Sequence, residues 1–197
     1  MDRQVIIHQH ILQTHLPDAC KLLMGKITEF VDCNIVNINK KEITDFFNWN
    51  IHKVNKCLQK LEKENIIEII DNKTIKLFYY HRYLPEFQFL HLDDVSVLRK
   101  IYNDLEDDDN IYTNLYCGNV ITKSLLALNL NDACTLLMSE LLLNEWVRDK
   151  KKKTIKISKI SIKKTLYWSI KKIDRILTRL RKEKILKYKK GAHILLF

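Results

Sequence analysis

The sequence predicts a mainly α-helical chain with small β-hairpins, an α+β fold built from two tandem units. Three observations predict it. WNIHKVNKCLQKLEKENII, residues 49–67, returns as WSIKKIDRILTRLRKEKIL, residues 168–186, displaced by 119 positions. Asp18-Ala19-Cys20 and Leu22-Leu23-Met24 return 114 positions later as Asp132-Ala133-Cys134 and Leu136-Leu137-Met138, so the second copy holds a five-residue insertion. Two matches in one order mark a duplicated unit rather than a chance likeness of helices. Finally, 3 Gly and 2 Pro in 197 residues leave few helix breakers, so connections are short.

The elements follow in order. Residues 1–15 read as a leading helix with Val5, Ile6, Ile11 and Leu12 on its apolar side. Pro17, tolerated in a first turn, opens a helix running to about Asp32, with Ala19, Leu22, Leu23, Ile27 and Phe30 facing inward. IVNI at 35–38 alternates as a short strand. Asn39 to Glu42 has the form of a capping box before the short helix EITDFFN. A tight turn at Asn48 to Asn50 leads into the long helix, whose Trp49, Ile51, Val54, Leu58 and Leu61 recur at helical steps of three and four. IIEII and TIKLFYY, joined by Asp71-Asn72-Lys73, form a hairpin.

The second copy reads in register. A helix runs from Asp132 to about Trp146, the insertion RDKKKK follows, and TIKIS is the short strand. Ser158 replaces Asn39 as cap, ISIKKTLY is the short helix, Ser169 to Lys184 the long one, and residues 185–197 the last hairpin. Between the copies, LDDVSVLRKIYNDL from Leu92 has helical spacing, Glu106 to Asp109 reads as an acidic loop, and VITKSLLALNL as another short helix. The expected organisation is a first unit with its leading helix at 1–82, an acidic, partly helical connector at 83–124, and a strongly basic second unit at 125–197, each unit with its own closed core.

Charge separates the units. Arg148 to Lys190 holds 19 Lys/Arg against Asp149, Asp174 and Glu183, a local +16, while the rest of the chain is net −6. The positive field therefore belongs to the second copy. Five cysteines, odd in number and without paired ligand spacing, argue against a disulfide framework or zinc site and for buried thiols in a reducing compartment. The N-terminal stretch lacks a basic region followed by a long apolar core, and no run approaches 18 apolar residues. An intracellular protein, cytoplasmic or nuclear, with no membrane partner is expected.

The unit then resembles the winged-helix form of the helix-turn-helix, in tandem and joined by a helical linker. The resemblance rests on a short helix, a tight turn, and a long helix ending in Leu58-Gln59-Lys60-Leu61-Glu62 to Ile66-Ile67, matched by Leu177-Thr178-Arg179-Leu180-Arg181 to Ile185-Leu186. The glycine usual before the apolar pair is Asn65 in one copy and Lys184 in the other. Asn adopts the left-handed conformation readily, Lys reluctantly. Tandem winged helices resemble plasmid replication initiators and also the winged-helix subunits of transcription and membrane-sorting complexes.

What the resemblance implies is a long helix entering the major groove of DNA. In the second copy its outward residues are Ser169, Lys171, Lys172, Arg175 and Arg179, with Lys189, Lys190 and His193 on the wing and Lys151 and Lys152 in the basic insertion. Lys and Arg pair with guanine O6 and N7, and phosphates accept either. A single lysine on such a face merely solvates it; 19 basic residues in 43 exceed that need. In the first copy the equivalents are Asn50, His52, Lys53, Asn55, Lys56, Gln59 and Lys60, with Asn72 and Lys73 on the wing. Asn and Gln read adenine. Residues 15–80, however, carry 10 basic and 9 acidic groups, so a protein-contact surface competes there.

Trp49 and Trp168 can stack on single strands, but their repetition at the same turn favours a shared core role. His8, His10 and His15 lack a Cys or Asp partner for a metal, and Glu106 to Asp109 reads as acidic surface rather than a cation site. The sequence shows no phosphate loop or catalytic triad, so neither an enzyme nor a cofactor is expected. The expected function is sequence-preferring binding of double-stranded DNA, in transcription regulation or replication initiation, as one chain on a duplex or as a homodimer across two sites. The competing expectation is a scaffold subunit of a larger protein complex.

Overall fold

A computed structural model describes residues 5–28, 34–78, 118–148, 154–155, 157–189 and 192–195. It is mainly helical with small antiparallel sheets. The chain begins with β1 (Val5–His8), α1 (Gln9–Leu12) and α2 (Asp18–Ile27). β2 (Ile35–Asn37), α3 (Lys40–Phe47), α4 (Ile51–Lys63), β3 (Ile67–Ile69) and β4 (Thr74–Leu77) complete the first set. The same order then repeats as β5 (Gly118–Ile121), α5 (Lys123–Ala127), α6 (Asp132–Arg148), β6 (Thr154–Ile155), α7 (Lys159–Leu166), α8 (Ile170–Lys182), β7 (Leu186–Lys189) and β8 (Ala192–Leu195).

Each set carries a three-stranded antiparallel sheet, in the order β2-β4-β3 and β6-β8-β7. Local chemistry explains the boundaries. Asn39 and Ser158 cap the short helices by accepting from the amides of Glu42 and Ser161, both at 3.2 Å. The short helices end on left-handed Asn48 and Tyr167. The long helices end on Asn65 at φ 54° and Lys184 at φ 58°. Lys184 therefore makes the same turn as Asn65, because the Ile185 amide still reaches the Leu180 carbonyl at 2.9 Å, as Ile66 reaches Leu61 at 3.0 Å. At the first hairpin tip the Asp71 carboxylate accepts from the Lys73 and Thr74 amides at 2.7 and 2.9 Å.

Three expectations are corrected. The leading segment is not one helix: Val5–His8 is a strand, and only Gln9–Leu12 is helical. Val5 and Ile7 are buried, which is the period of two that a half-buried strand requires. VITKSLLALNL likewise opens as strand β5 before α5. Finally, the cores are not closed separately. One continuous cluster runs from Val5 through Leu23, Leu61 and Ile121 to Leu137, Trp168 and Leu180, with α2 packed on α6. Each fully buried aliphatic side chain in it contributes roughly 1.5–3 kcal/mol. The physical reason is α2 itself: every residue from Cys20 to Ile27 is buried, so it needs cover on more than one face, and α6 supplies it.

The two sets are related by a pseudo-twofold axis. β1 pairs with β5 antiparallel, with Val5 opposite Ile121, Ile6 opposite Val120 and Ile7 opposite Asn119. The 114-residue offset makes Ile6 and Val120 equivalent, so that pair lies on the axis. Cross-contacts occur reciprocally, as twofold symmetry demands. Lys53 pairs with Asp132 at 2.7 Å, and its equivalent Lys172 pairs with Asp18 at 2.7 Å. Asn48 donates to Asn129 at 3.4 Å, and at the equivalent positions Tyr167 meets the His15 ring edge-on, at 4.6 Å. The symmetry is broken at Lys21, whose counterpart is Thr135. Lys21 is 1% exposed, and its ammonium donates to the carbonyls of Leu12 at 2.6 Å and Leu166 at 3.0 Å, pinning one set to the other.

Candidate nucleic-acid interface

α8 is the most basic surface element of the described structure. Ser169 caps it by accepting from the Lys172 amide at 3.2 Å. Ile173, Ile176, Leu177 and Leu180 are buried beneath it. Lys171, Arg175, Thr178, Arg179, Arg181 and Lys182 are exposed, as the helical period requires once those four face inward. Two of the charges near this face are paired: Arg179 with Glu183 at 2.7 Å, and Asp174 with Lys159 at 2.5 Å. Among the described residues, no acidic partner reaches Lys171, Arg175 or Lys182.

Lys172 is placed differently from its neighbours. It reaches across the seam to both oxygens of Asp18, at 2.7 and 2.9 Å, and its ammonium lies 4.1 Å from the centre of the Trp168 ring. The Trp168 indole donates to the same Asp18 at 3.1 Å. Lys53 repeats the arrangement with Asp132 and, again at 4.1 Å, the Trp49 ring. These two lysines thus serve the seam, and each tryptophan packs against the core and supports its lysine.

A cleft of about 750 Å³ opens beside the N-terminal end of α8, lined by Gln13, Lys163, Lys164, Tyr167, Trp168 and Ser169. Lys163, Lys164 and Tyr167 are exposed there. Sequence spacing did not single out these three; their signal was position, at the end of the short helix and in the turn itself. Spacing puts Ile51 and Ile170 on the inner face, yet they are 43% and 38% exposed. Each is the first residue of its helix, where the chain enters from the turn.

On α4, Asn50 caps by accepting from the Lys53 amide at 2.8 Å, so its carbonyl oxygen is engaged. His52, Lys56 and Gln59 are exposed and Asn55 half-buried. Lys60 pairs with Glu64 one turn on. Asn72 and Lys73 are exposed at the hairpin tip, where the Lys73 amide holds the Asp71 carboxyl below its usual range. Lys189 and His193 sit on β7 and β8, and Lys151, Lys152 and Lys190 lie outside the described residues, as does most of the acidic connector.

The residues on the outer face of the first sheet are not repeated in the second copy. Ile35, Ile70 and Phe78 are 49%, 51% and 47% exposed around a Lys76–Glu68 pair at 3.7 Å. At the positions equivalent to Ile35, Glu68 and Ile70 the second set has Thr154, Lys187 and Lys189. Cys20, Cys57 and Cys134 are buried free thiols. Hydrogen bonding with Cys57 and burial push the Cys20 thiol up, and burial pushes Cys134 up to about 11, so neither is a thiolate at neutral pH. Among the described residues no group of three or more His, Cys, Asp or Glu is placed to hold a metal ion, and no helix is long and apolar enough to cross a membrane.

Comparison of the chain with protein-family models, with curated proteins and with solved structures gives no match.

Proposed function

We propose that the chain is a double-stranded DNA-binding protein made of two winged-helix units, acting in transcription regulation or replication initiation. The observation that carries this reading is the outward face of α8: Lys171, Arg175 and Lys182 stand exposed and without acidic partners among the described residues, inside a 43-residue stretch of net charge +16. Arg175, on the N-terminal half of that face, is the base-reading candidate. Lys163 and Lys164 in the cleft, together with Lys151 and Lys152 in the insertion, are phosphate-contact candidates. Ser169 and Asn50 contribute as helix caps, and Lys172 and Lys53 as seam contacts that orient the reading helices.

The test is competitive binding of matched and single-mismatch duplexes to the full chain across a salt series. Arg175→Ala should lose roughly 1–3 kcal/mol of discrimination at one base pair. Lys163→Ala with Lys164→Ala should weaken every duplex about equally and lower the salt slope by about 2. A second reading, a subunit that uses its first unit for protein contact, is favoured by the apolar outer sheet face of Ile35, Ile70 and Phe78. An Arg175→Ala chain that keeps full sequence preference, together with loss of a protein partner on Phe78→Asp, would transfer the conclusion to that reading.

A further inference from the structure

The reciprocal contacts constrain how any duplex target must be arranged. Lys53 meets Asp132 while Lys172 meets Asp18, and Asn48 meets Asn129 while Tyr167 meets His15. A head-to-tail relation brings two different surfaces together once and cannot produce such exchange; only a twofold axis does. The β1–β5 register, centred on Ile6 opposite Val120, supports the same axis independently. The seam is buried and held by the continuous core, by Lys21 on the Leu166 carbonyl and by both ion pairs, so α4 and α8 are fixed in that relation.

Duplex DNA has its own local dyads, perpendicular to its axis. Two reading helices related by a twofold can meet equivalent groove geometry only when the two axes coincide. From this we infer that the target is an inverted pair of unequal half-sites, one read by α8 and one by α4. The inference rests on the DNA-binding reading and deepens it. The inequality comes from the reading faces. α8 presents Lys171 and Arg175, which match guanine O6 and N7; α4 presents Lys56 at the position of Arg175 together with His52, Asn55 and Gln59, of which Asn and Gln match adenine N6 and N7. Both halves can accordingly contain guanine and the α4 half adds adenine, so the target is a palindrome in orientation but not in sequence.

The experiment selects bound duplexes from a random library with the full chain, then compares three duplexes by competition: the selected one, one with a half-site reversed in place to make a direct repeat, and one with that half-site scrambled. The reversed duplex should bind about as weakly as the scrambled one, roughly tenfold below the selected one. Arg175→Ala should relax preference in the half read by α8 alone, and Gln59→Ala in the half read by α4 alone. A direct repeat bound as tightly as the selected duplex, or a selected motif itself arranged as a direct repeat, overturns the inference while leaving DNA binding intact. Absence of any salt-dependent duplex binding by the unaltered chain overturns the DNA reading and this inference with it.

Discussion

Replacing Lys21 by Met should abolish a rise in stability that the unaltered chain shows as the solution becomes alkaline. Lys21 is 1% exposed, and burial lowers its pKa from 10.5 to about 8, with Asp18 opposing that effect and Lys172 adding to it. Below pH 8 both the folded and unfolded chains hold the proton, so the cost of burying the charge is constant. Between pH 8 and 10.5 the unfolded chain still binds a proton that the folded chain has released, and stability therefore rises with pH. The gap between the two pKa values, about 2.5, corresponds to roughly 3 kcal/mol. A neutral amine keeps two N–H donors, enough for the Leu12 and Leu166 carbonyls. Urea unfolding followed by circular dichroism, at steps from pH 7 to 10.5, should show the difference between the unaltered chain and Lys21→Met growing by about that amount. Lys21→Thr, which installs the residue found at the equivalent position 135, should give the same profile as Lys21→Met. A difference that stays flat across the range would refute the assignment of a buried, weakly basic lysine at the seam.

Other perturbations probe the remaining features. Asp18→Ala should cost roughly 2–3 kcal/mol, more than Asp132→Ala at about 1 kcal/mol, because Asp18 accepts from Trp168 as well as from Lys172; equal losses on denaturant unfolding would contradict it. Lys184→Gly should stabilise by about 1 kcal/mol, since φ is 58° there, whereas Asn65→Gly should change little; thermal melts of both decide it. Gly25→Ala should destabilise by roughly 1–3 kcal/mol, because a Cβ would stand 2.7 Å from Ile7 Cγ1 and 3.1 Å from the Ile6 carbonyl oxygen. A melting temperature equal to that of the unaltered chain would show that β1 moves aside.

The helices and hairpins were legible because their information is local. Val54, Leu58 and Leu61 recur at helical steps, Asn39 announces a helix start, and Asp71-Asn72-Lys73 a turn. The seam was not legible, because its information is distributed across more than 100 residues. β1 is four residues long and finds its partner at Gly118–Ile121, so no window along the chain contains the pair. The clue lay in extending the 114-residue offset upstream, where Ile7 falls on Ile121, Ile11 on Leu125 and Leu16 on Leu130. Charge misled in the same way. A lysine reads as solvent-facing until its environment is known: Lys53 and Lys172, expected in the groove, also pair across the seam, and nothing in the spacing marks Lys21 as buried. The outward set on α8 was readable from period alone, since once Ile173, Ile176, Leu177 and Leu180 face inward the remaining positions cannot.

The β1–β5 pairing also has a consequence for biosynthesis. β1 leaves the ribosome long before the segment ending at Ile121, and its backbone groups must wait for that segment to find these partners. At about 5–20 residues per second, that delay is on the order of 5–20 s. Throughout it, the side of α2 that α6 will cover lacks that cover. The first half of the chain is thus born as an incomplete half of a dimer whose other half is still being translated. Chaperone capture of nascent chains should accordingly peak before the second copy of the motif emerges, and a ribosome stalled before residue 118 should hold a protease-sensitive product, whereas one stalled beyond the C-terminal hairpin should not.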